Sequence, residues 1–308
     1  MYDLIIIGGG PAGIAAGVYA GRKRLNTLLI TKDWGGQSIV SPDIQNWIGT
    51  PTISGNKLAS DLRGHLETYA GTGVTIIANQ LATNLTTSDD KTHTVTLSNG
   101  STHSAKAVLI ASGSVRRRLE VPGADTFEHK GVTYCASCDG PLFSGADVVV
   151  IGGGNAGFET AAQLLAYTKS VTLLHRSEQF KADAITVEKV LSHPNMTAVT
   201  NAVPTEVIGE GFVSGLRYTT KDGINHEIAA SGIFVEIGML PNTEFARTAI
   251  TLDQYNRIEI DPWTQATTTP GIWAAGDCTN VKYHQNNISA GDGVKALEDI
   301  YVYLKTRA

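Results

Sequence analysis

The pattern in this sequence most suited to chemistry is a pair of cysteines followed by an acid: Cys135, Cys138 and Asp139. Two thiols separated by two residues can close a small disulfide and open it again, and local charges can keep one of them a thiolate near neutral pH. A carboxyl group directly after the second cysteine is a candidate proton donor to the thiolate that leaves. The pattern therefore predicts a redox-active dithiol with Asp139 as its acid, and these three are the predicted catalytic residues.

Two glycine-rich segments, residues 8–13 and 152–157, both match the pattern G-x-G-x-x-G. Each follows a short apolar run and precedes a stretch with helical periodicity, which is the context of a phosphate-binding turn between a buried strand and a helix. The first glycine permits the tight bend, the second lets a pyrophosphate approach the backbone, and the third allows close packing of the helix on the strand. Two nucleotide cofactors are therefore predicted. Their expected binding residues in these turns are Gly8, Gly10, Pro11, Ala12 and Gly13 in the first and Gly152, Gly154, Asn155, Ala156 and Gly157 in the second.

Neither copy has the acidic residue that often binds ribose hydroxyls at the end of the second strand of a dinucleotide fold. The second strand of the first copy is expected to end at the cofactor-binding residue Thr31. That of the second copy is expected to end at His175 and Arg176, with Lys181 further on. Cations at this place suit a 2′-phosphate, so the second site favours NADPH, and NADH stays possible because the preference depends on a single arginine. The alternative is that His175 and Arg176 are solvated residues at a strand end.

The strand–helix–strand pattern occurs twice, and each copy continues with a hairpin and a third apolar strand. The repeat predicts an α/β protein with two Rossmann-like dinucleotide-binding domains of the three-layer ββα type. A further apolar segment, residues 272–277, has no partner in the second copy and is expected to return to the first domain, which is then discontinuous. We expect the first domain to span residues 1–115 and 246–308, and the second, which carries the cysteine pair, to span residues 116–245.

Composition and charge narrow the class of protein. The net charge is −5 over 308 residues, so we expect no broad basic surface for nucleic acid or anionic membrane. The sequence shows no signal peptide and no apolar run long enough to span a bilayer, which favours the cytoplasm. Only three cysteines are present and no histidine cluster accompanies them, so a zinc site at Cys135 and Cys138 is the weaker alternative and no metal is predicted. Cys278 is expected to be a small buried residue.

Several blocks of the sequence resemble the low-molecular-weight thioredoxin reductases over nearly the whole chain, and also the reductase portion of the flavoprotein component of alkyl hydroperoxide reductase. The blocks are Cys-x-x-Cys-Asp-Gly at 135–140, Gly35-Gly36-Gln37, Asn46-Trp47, Ile237-Gly238 with residues 241–243, and Ala275-Gly276-Asp277. The resemblance implies FAD in the first domain, a nicotinamide cofactor in the second, and a homodimer. It places Asp277 at the ribityl chain and Gln285 near the isoalloxazine. The cofactor-binding residues that it adds are Gly35, Gly36, Gln37, Asn46, Ala111, Gly113, Ile237, Gly238, Gly276, Asp277 and Gln285.

The sequence also departs from the thioredoxin reductases. Ser177 and Lys181 stand where those proteins usually have arginines, which weakens the case for strict NADPH use. Residues 131–134 and 141–143 are closer to the hydroperoxide reductase flavoprotein, whose additional thioredoxin-like domain we expect to be a separate protein here. The remaining departures, near the expected flavin, are His284, Asn286 and Asn287.

Together these features predict a flavin-dependent disulfide reductase. Electrons are expected to pass from NAD(P)H through FAD to Cys135 and Cys138, and then to thioredoxin or a thioredoxin- or glutaredoxin-like protein. One domain is expected to rotate against the other between these steps. Four alternatives stay open: an NADH-dependent reductase that serves a peroxiredoxin through a separate carrier, a ferredoxin-fed reductase, a flavin-dependent dithiol oxidase, and a flavin-binding redox sensor without turnover.

Overall fold

A computed structural model describes residues 1–41 and 44–306. The chain divides into two compact units, unit 1 with Met1–Val115 and Leu240–Ala308 and unit 2 with Arg116–Met239. The second boundary falls earlier than the expected 245/246. The physical reason is that Phe245 packs against the core of unit 1, and the Thr243 hydroxyl donates a hydrogen bond to the Asn256 carbonyl oxygen (2.7 Å).

The N-terminal part of unit 1 builds most of its mixed sheet. The elements are β1 (Tyr2–Gly9), α1 (Pro11–Arg22), β2 (Thr27–Trp34), α2 (Gly55–Glu67), β3 (Val74–Ala78), β4 (Ala82–Thr87), β5 (His93–Leu97), β6 (Thr102–Ile110) and β7 (Ser114–Arg116). The order of the sheet is β3-β2-β1-β6-β5-β4. Strands β1, β2, β3 and β6 are parallel, and β4 and β5 are antiparallel.

Unit 2 contains a parallel sheet and a separate antiparallel sheet. Its elements are β8 (Val132–Thr133), α3 (Ala136–Asp139), β9 (Asp147–Ile151), α4 (Asn155–Leu164), β10 (Ser170–Leu174), α5 (Ala184–Leu191), β11 (Met196–Val199), β12 (Ala202–Glu210), β13 (Phe212–Thr220), β14 (Asn225–Ala229) and β15 (Gly232–Val235). The order of the parallel sheet is β11-β10-β9-β15-β8, and that of the antiparallel sheet is β12-β13-β14.

The chain then returns to unit 1 through β16 (Met239–Pro241), β17 (Ile272–Ala274) and α6 (Asn286–Thr306). Strand β16 pairs with β7, and β17 pairs in parallel with the second half of β6, so the C-terminal segment completes the sheet of unit 1. In unit 2 the matching place beside β15 is taken by β8, which precedes the glycine turn in sequence. The second copy therefore has a counterpart to β17, contrary to expectation, because a strand of two residues is too short to show a periodic pattern.

The first strand of each glycine turn is buried on both faces. In β1, Leu4 and Ile6 belong to the core formed with α1 and α6, whereas Ile5 and Ile7 belong to a second core on the other face. Alternate residues of β9 divide between two cores in the same way. This packing explains the continuous apolar runs, and it fixes each glycine turn at the carboxyl end of a central parallel strand.

Helix α6 is the longest of the described helices, and its sequence includes charged residues such as Asp292, Lys295 and Glu298. Within residues 1–41 and 44–306, no helix is both long enough and apolar enough to cross a bilayer.

Candidate functional site

The glycine turn of unit 1 leads directly from β1 into α1. Gly8 has φ +125°, and a β-carbon there would overlap the carbonyl oxygen of Ala111. A β-carbon at Gly13 would overlap the carbonyl oxygen of Gly8, so close backbone packing requires both glycines. Gly10 differs from these two glycines because the space beside it is open: the nearest atom to an added β-carbon is the Gly36 Cα at 4.0 Å. Gly10 is the N-cap of α1, and no side chain caps this helix end. The open space beside Gly10 at a helix N-terminus fits a pyrophosphate.

The glycine turn of unit 2 repeats this geometry. Gly152 also has φ +125°, and its added β-carbon would overlap the carbonyl oxygen of Glu236. A β-carbon at Gly157 would overlap the carbonyl oxygen of Gly152. Gly154 is the N-cap of α4, and an added β-carbon there would find no atom of the described residues within 4 Å. Both turns therefore fit the diphosphate of a dinucleotide.

Three further glycines predicted to bind FAD border the first turn. Gly35 and Gly36 have φ +84° and +58°, and the Gly35 N–H donates a hydrogen bond to the carbonyl oxygen of Gly9 (2.8 Å). Gly276 has φ +76°, and its added β-carbon would lie 3.4 Å from the Cβ of Ala12. The backbone thus approaches the first turn closely from two other segments.

Asp277, predicted to hold the ribityl chain, follows β17 in the same region. Its Oδ1 accepts a hydrogen bond from the Ser289 hydroxyl (3.2 Å), and His284 Nδ1 lies 3.3 Å from the same oxygen. The carboxylate therefore lies between two side chains, one before and one after the start of α6.

A cluster of side-chain amides joins the segment after β2 to the start of α6. Asn46 Nδ2 donates to Gln285 Oε1 (3.0 Å), and Asn287 Nδ2 donates to the Asn46 carbonyl oxygen (2.7 Å). The Ser38 hydroxyl donates to Asn286 Oδ1 (2.9 Å). Asn46 and Gln285 were predicted flavin residues, and the structure brings them together. Ser38 and the hydrogen bonds of Asn286 and Asn287 were not predicted, and the run of three amides at 285–287 was the available signal.

The other predicted cofactor residues lie at strand ends and on one turn. Ala111 and Gly113 follow β6, and Ile237 and Gly238 follow β15, where Gly238 has φ +107°. Gln37 is exposed on the short 3-10 helix Gly36–Val40.

The predicted phosphate-binding residues after β10 do not share one environment. The His175 side chain is buried, with 7% exposed, and both of its ring nitrogens lie within hydrogen-bond distance of backbone atoms. Arg176 and Lys181 are exposed. In unit 1, β2 continues past Thr31, whose buried hydroxyl donates to the Asp33 carbonyl oxygen (2.5 Å). Of these three predicted residues after β10, Arg176 and Lys181 therefore expose their side chains and His175 does not.

The cysteine pair lies directly after β8. Cys135 and Cys138 form a disulfide, and their Cα atoms are 5.3 Å apart. Cys135 is the N-cap of α3. Asp139 ends α3, and its carboxylate accepts a hydrogen bond from the Thr133 hydroxyl. Burial raises the pKa of Asp139, while the Thr133 hydrogen bond and the nearby His129 act in the opposite direction. A carboxyl group that keeps its proton to higher pH is suited to protonate a leaving thiolate.

The third cysteine has a different environment. Cys278 is fully buried, and its sulfur lies 3.5 Å from the carbonyl oxygens of Ile110 and Ala275. Burial raises the pKa of its thiol to about 11, so the expected small buried residue is confirmed. Within the part of the chain that the structure describes, no group of three or more His, Cys, Asp or Glu is placed to hold a metal ion.

Two dinucleotide-type turns and a disulfide in one chain define a class of redox protein, and comparison with known proteins agrees. The sequence matches the pyridine nucleotide-disulphide oxidoreductase family over residues 2–293, and the chain belongs to this family. Over 98% of its length it is 41% identical to the F subunit of alkyl hydroperoxide reductase of Escherichia coli (strain K12). Over the same share it is 37% identical to a protein named NADH dehydrogenase of Bacillus subtilis (strain 168). The chain spans 58% of the length of each of these relatives.

Solved structures match the whole fold. A thioredoxin reductase from Streptococcus pyogenes MGAS5005 is 33% identical with a TM-score of 0.89, and one from Giardia duodenalis is 30% identical with a TM-score of 0.91. Each match covers 99% of this chain and 99% of the other. The predicted resemblance and fold class are thereby confirmed: an α/β protein with two dinucleotide-binding domains, the first of them discontinuous. Family membership implies a flavin and a pyridine nucleotide.

Proposed function

We propose that this chain is a flavin-dependent disulfide reductase that passes electrons from NAD(P)H through FAD and the Cys135–Cys138 disulfide to thioredoxin or a thioredoxin-like protein. The observation that carries the proposal is the disulfide itself, which is followed by a partly buried carboxyl group and lies in a chain with two matching dinucleotide turns. Family membership and the thioredoxin reductase structures support it.

FAD is assigned to unit 1. Gly10 and the N-terminus of α1 would receive its pyrophosphate, and Asp277 and the cluster of Asn46 and Gln285 would contact the rest of it. When bound, FAD supplies the two-electron link between a nicotinamide and a disulfide.

NAD(P)H is assigned to unit 2, with Gly154 and the N-terminus of α4 at its pyrophosphate. The exposed cations Arg176 and Lys181 favour NADPH, because they are suited to a 2′-phosphate. NADH is the second candidate, and the relatives named NADH dehydrogenase support it.

The cysteine pair and Asp139 carry out the disulfide chemistry. Two electrons and one proton convert the disulfide into one thiolate and one thiol, and Asp139 supplies the proton to the sulfur that leaves. A thiolate of the pair then attacks a disulfide of the partner protein and releases one of its sulfurs. The second cysteine resolves the mixed disulfide, so the partner's disulfide is reduced as Cys135–Cys138 forms again.

The partner, the assembly and the motion are part of the proposal. One disulfide must meet both the internal electron source and an external protein, so we expect unit 2 to rotate relative to unit 1 during turnover. A homodimer and a cytoplasmic location are expected as well. A peroxiredoxin system with a separate carrier is the second candidate, and the 41% identity to the F subunit of alkyl hydroperoxide reductase favours it.

The proposal is tested by anaerobic titration of the FAD-loaded protein with NADPH and, separately, with NADH, while the flavin absorbance is followed. We expect NADPH to bleach the flavin at the lower concentration and oxidised thioredoxin to restore the colour. If NADH acts at the lower concentration and a thioredoxin-like carrier with its peroxiredoxin is the better acceptor, the second candidate replaces the first. If neither nucleotide bleaches the flavin, the reductase fed by NAD(P)H is wrong, and a ferredoxin-fed reductase or an oxidase takes its place.

A cysteine variant tests the redox pair separately. Cys138→Ser is expected to retain flavin reduction by NADPH and to lose thioredoxin reduction. The matched control Cys278→Ser is expected to retain both. Thioredoxin reduction by Cys138→Ser at the unaltered rate would show that the redox pair is assigned wrongly.

A further inference from the structure

His175 lies between the two backbone segments that would contact the adenosine half of a dinucleotide. Its Nδ1 is 3.1 Å from the Gly153 backbone nitrogen in the glycine turn 152–157. Its Nε2 is 2.9 Å from the Gln179 carbonyl oxygen in the segment 176–183 that follows β10. The side chain is 7% exposed, so its ring is enclosed by these two segments.

The two contacts specify the protonation state of the ring. A backbone N–H can only donate, so Nδ1 accepts the hydrogen bond from Gly153. A carbonyl oxygen can only accept, so Nε2 carries the proton and donates to Gln179. The ring is therefore the neutral Nε2–H tautomer, and neither nitrogen is free for a phosphate.

Other contacts hold the 176–183 segment against the glycine turn. The Lys181 N–H donates to the Gly153 carbonyl oxygen (2.8 Å), and the Asp183 N–H donates to Asn155 Oδ1 (2.8 Å). The ring centroid of Phe180 lies 5.6 Å from that of His175 and 5.0 Å from that of Phe158 on α4. Gly153 is required here, since an added β-carbon would lie 2.6 Å from His175 Cγ and 2.8 Å from Phe180 Cδ1.

We propose that His175 is a positioning residue, not a phosphate ligand: its neutral ring holds the pyrophosphate turn and the 176–183 segment together as one preorganised binding surface for an adenine dinucleotide. Recognition of a 2′-phosphate then falls to the exposed side chains of Arg176 and Lys181. The inference rests on the assignment of NAD(P)H to unit 2. It explains why His175 is buried, whereas Arg176 and Lys181 of the same predicted phosphate site are exposed.

Binding of two nucleotides to the oxidised FAD-loaded protein separates the two roles. Adenosine 5′-monophosphate probes the turn, and adenosine 2′,5′-bisphosphate probes the turn together with the 2′-phosphate position, both by isothermal titration calorimetry. We expect His175→Leu to weaken both by a similar factor of about tenfold, because it leaves the Gly153 donor and the Gln179 acceptor unpaired. His175→Asn can still accept from Gly153, so we expect a smaller loss of about threefold for both.

Matched variants complete the test. Arg176→Gln is expected to weaken the 2′,5′-bisphosphate alone. His193→Leu, which replaces another histidine of unit 2 whose Nδ1 accepts from the Asn195 N–H, is expected to change neither affinity. Phe180→Leu keeps both bonds of His175 and removes the ring contacts, so it is expected to weaken both nucleotides even if His175→Leu fails to fold.

If His175→Leu lowers the affinity for adenosine 2′,5′-bisphosphate alone, His175 is a phosphate ligand and the proposal is wrong. Unchanged affinity for both nucleotides would also overturn the proposal. If the wild-type protein binds neither nucleotide, the assignment of NAD(P)H to unit 2 is wrong. This outcome is seen in the wild type, so it is distinguishable from the two results for His175→Leu.

The tautomer gives an independent readout. In protein labelled with ¹⁵N at its eight histidines, the signal that His175→Asn removes is expected to show the neutral Nε2–H form, unchanged when the 2′,5′-bisphosphate binds. A ring protonated at both nitrogens, or one that becomes so on binding, would contradict the proposal.

Discussion

The glycine turn of unit 1 and that of unit 2 have nearly the same backbone, whereas the residues that pack against their central glycines differ. An added β-carbon at Gly9 would meet the Thr31 side chain and the Asp33 carbonyl oxygen, and one at Gly153 would meet His175 and Phe180. His175 and Phe180 hold against the second turn a segment that carries two exposed cations, Arg176 and Lys181. Among the described residues, no such segment lies against the first turn. The shared backbone therefore fits a diphosphate, and we expect the neighbouring segment to determine which dinucleotide each unit prefers.

A second difference concerns the outer strand next to β6 or β15. In unit 1 this place belongs to β17, which is followed by Asp277, and in unit 2 it belongs to β8, which is followed by Cys135. The same position of the two sheets thus carries a predicted cofactor-binding acid in one unit and the Cys135–Cys138 disulfide in the other. The comparison shows how a repeated fold can take on a second chemistry by changing which part of the chain supplies one short strand.

The largest expected effect comes from the first glycine of each turn. Gly8→Ala and Gly152→Ala each place a β-carbon on a backbone carbonyl at φ +125°, and we expect each to lower the free energy of unfolding by about 3 kcal/mol. Gly8→Ala should also lose FAD, whereas Gly152→Ala should keep it and lose reduction by NAD(P)H. Denaturant unfolding and the flavin content of the purified variants check both. Loss of FAD from Gly152→Ala alone would reverse the assignment of cofactors to units.

The second glycine of each turn separates binding from folding. An added β-carbon at Gly154 finds open space at φ −95°, so Gly154→Ala should change the stability by no more than about 1 kcal/mol. The methyl group stands where a pyrophosphate would approach, so we expect the KM for NAD(P)H to rise about 100-fold.

Two further variants control this prediction. Gly10→Ala should impair FAD binding instead, and Gly64→Ala on α2, also in open space, should affect neither cofactor. An unchanged KM in Gly154→Ala would mean that the open space does not receive the diphosphate.

A smaller effect is expected from the segment that only unit 2 possesses. Arg176→Gln removes an exposed cation, and we expect the KM for NADPH to rise about tenfold, with little change for NADH. Steady-state kinetics with both nucleotides measure the selectivity. Lys169→Gln is a control, because Lys169 is also exposed in unit 2 but pairs with Asp147. Equal effects of Arg176→Gln on both nucleotides would remove the basis for the NADPH preference.

The smallest effect concerns the acid beside the disulfide. Burial raises the pKa of Asp139 in the native state above its ordinary value of 3.8. In the pH interval between the ordinary and the native-state pKa, the native state therefore binds more protons than the unfolded state. Stability therefore falls as the pH rises through that interval, so at neutral pH the partly buried Asp139 makes the native state less stable than an uncharged side chain of the same size would. Asp139→Asn should raise the Tm at pH 7 by about 2 °C, and this gain should shrink as the pH falls towards 3.8. A lower Tm for Asp139→Asn at pH 7 would show that the charged form is the stabilised one.

The central strands and the glycine turns were predictable from the sequence because their physics is local. A strand buried on both faces must be apolar throughout, as Leu4–Ile7 is, and a turn that packs against a carbonyl oxygen must be glycine, as at Gly13 and Gly157. The hairpins and the return of the C-terminal segment followed from the repeat.

Other features depend on contacts between residues of different elements or loops, and sequence patterns do not contain them. His175 has the residue type of a phosphate ligand, and only the positions of the Gly153 N–H and the Gln179 carbonyl oxygen reveal its enclosed ring. The bond between Thr133 and Asp139 joins the last residue of β8 to the last residue of α3. The contact of Asn46 with Gln285 joins residues 239 positions apart.

The fully buried thiol of Cys278 has a practical consequence for measuring this protein. With a pKa of about 11 and no exposed surface, it presents almost no thiolate to a maleimide or iodoacetamide at neutral pH. In the folded protein, alkylation should therefore add no label when the Cys135–Cys138 pair is oxidised and up to two labels when it is reduced. Intact mass spectrometry of the alkylated chain would then report the redox state of the pair directly, without any spectroscopic signal from a cofactor.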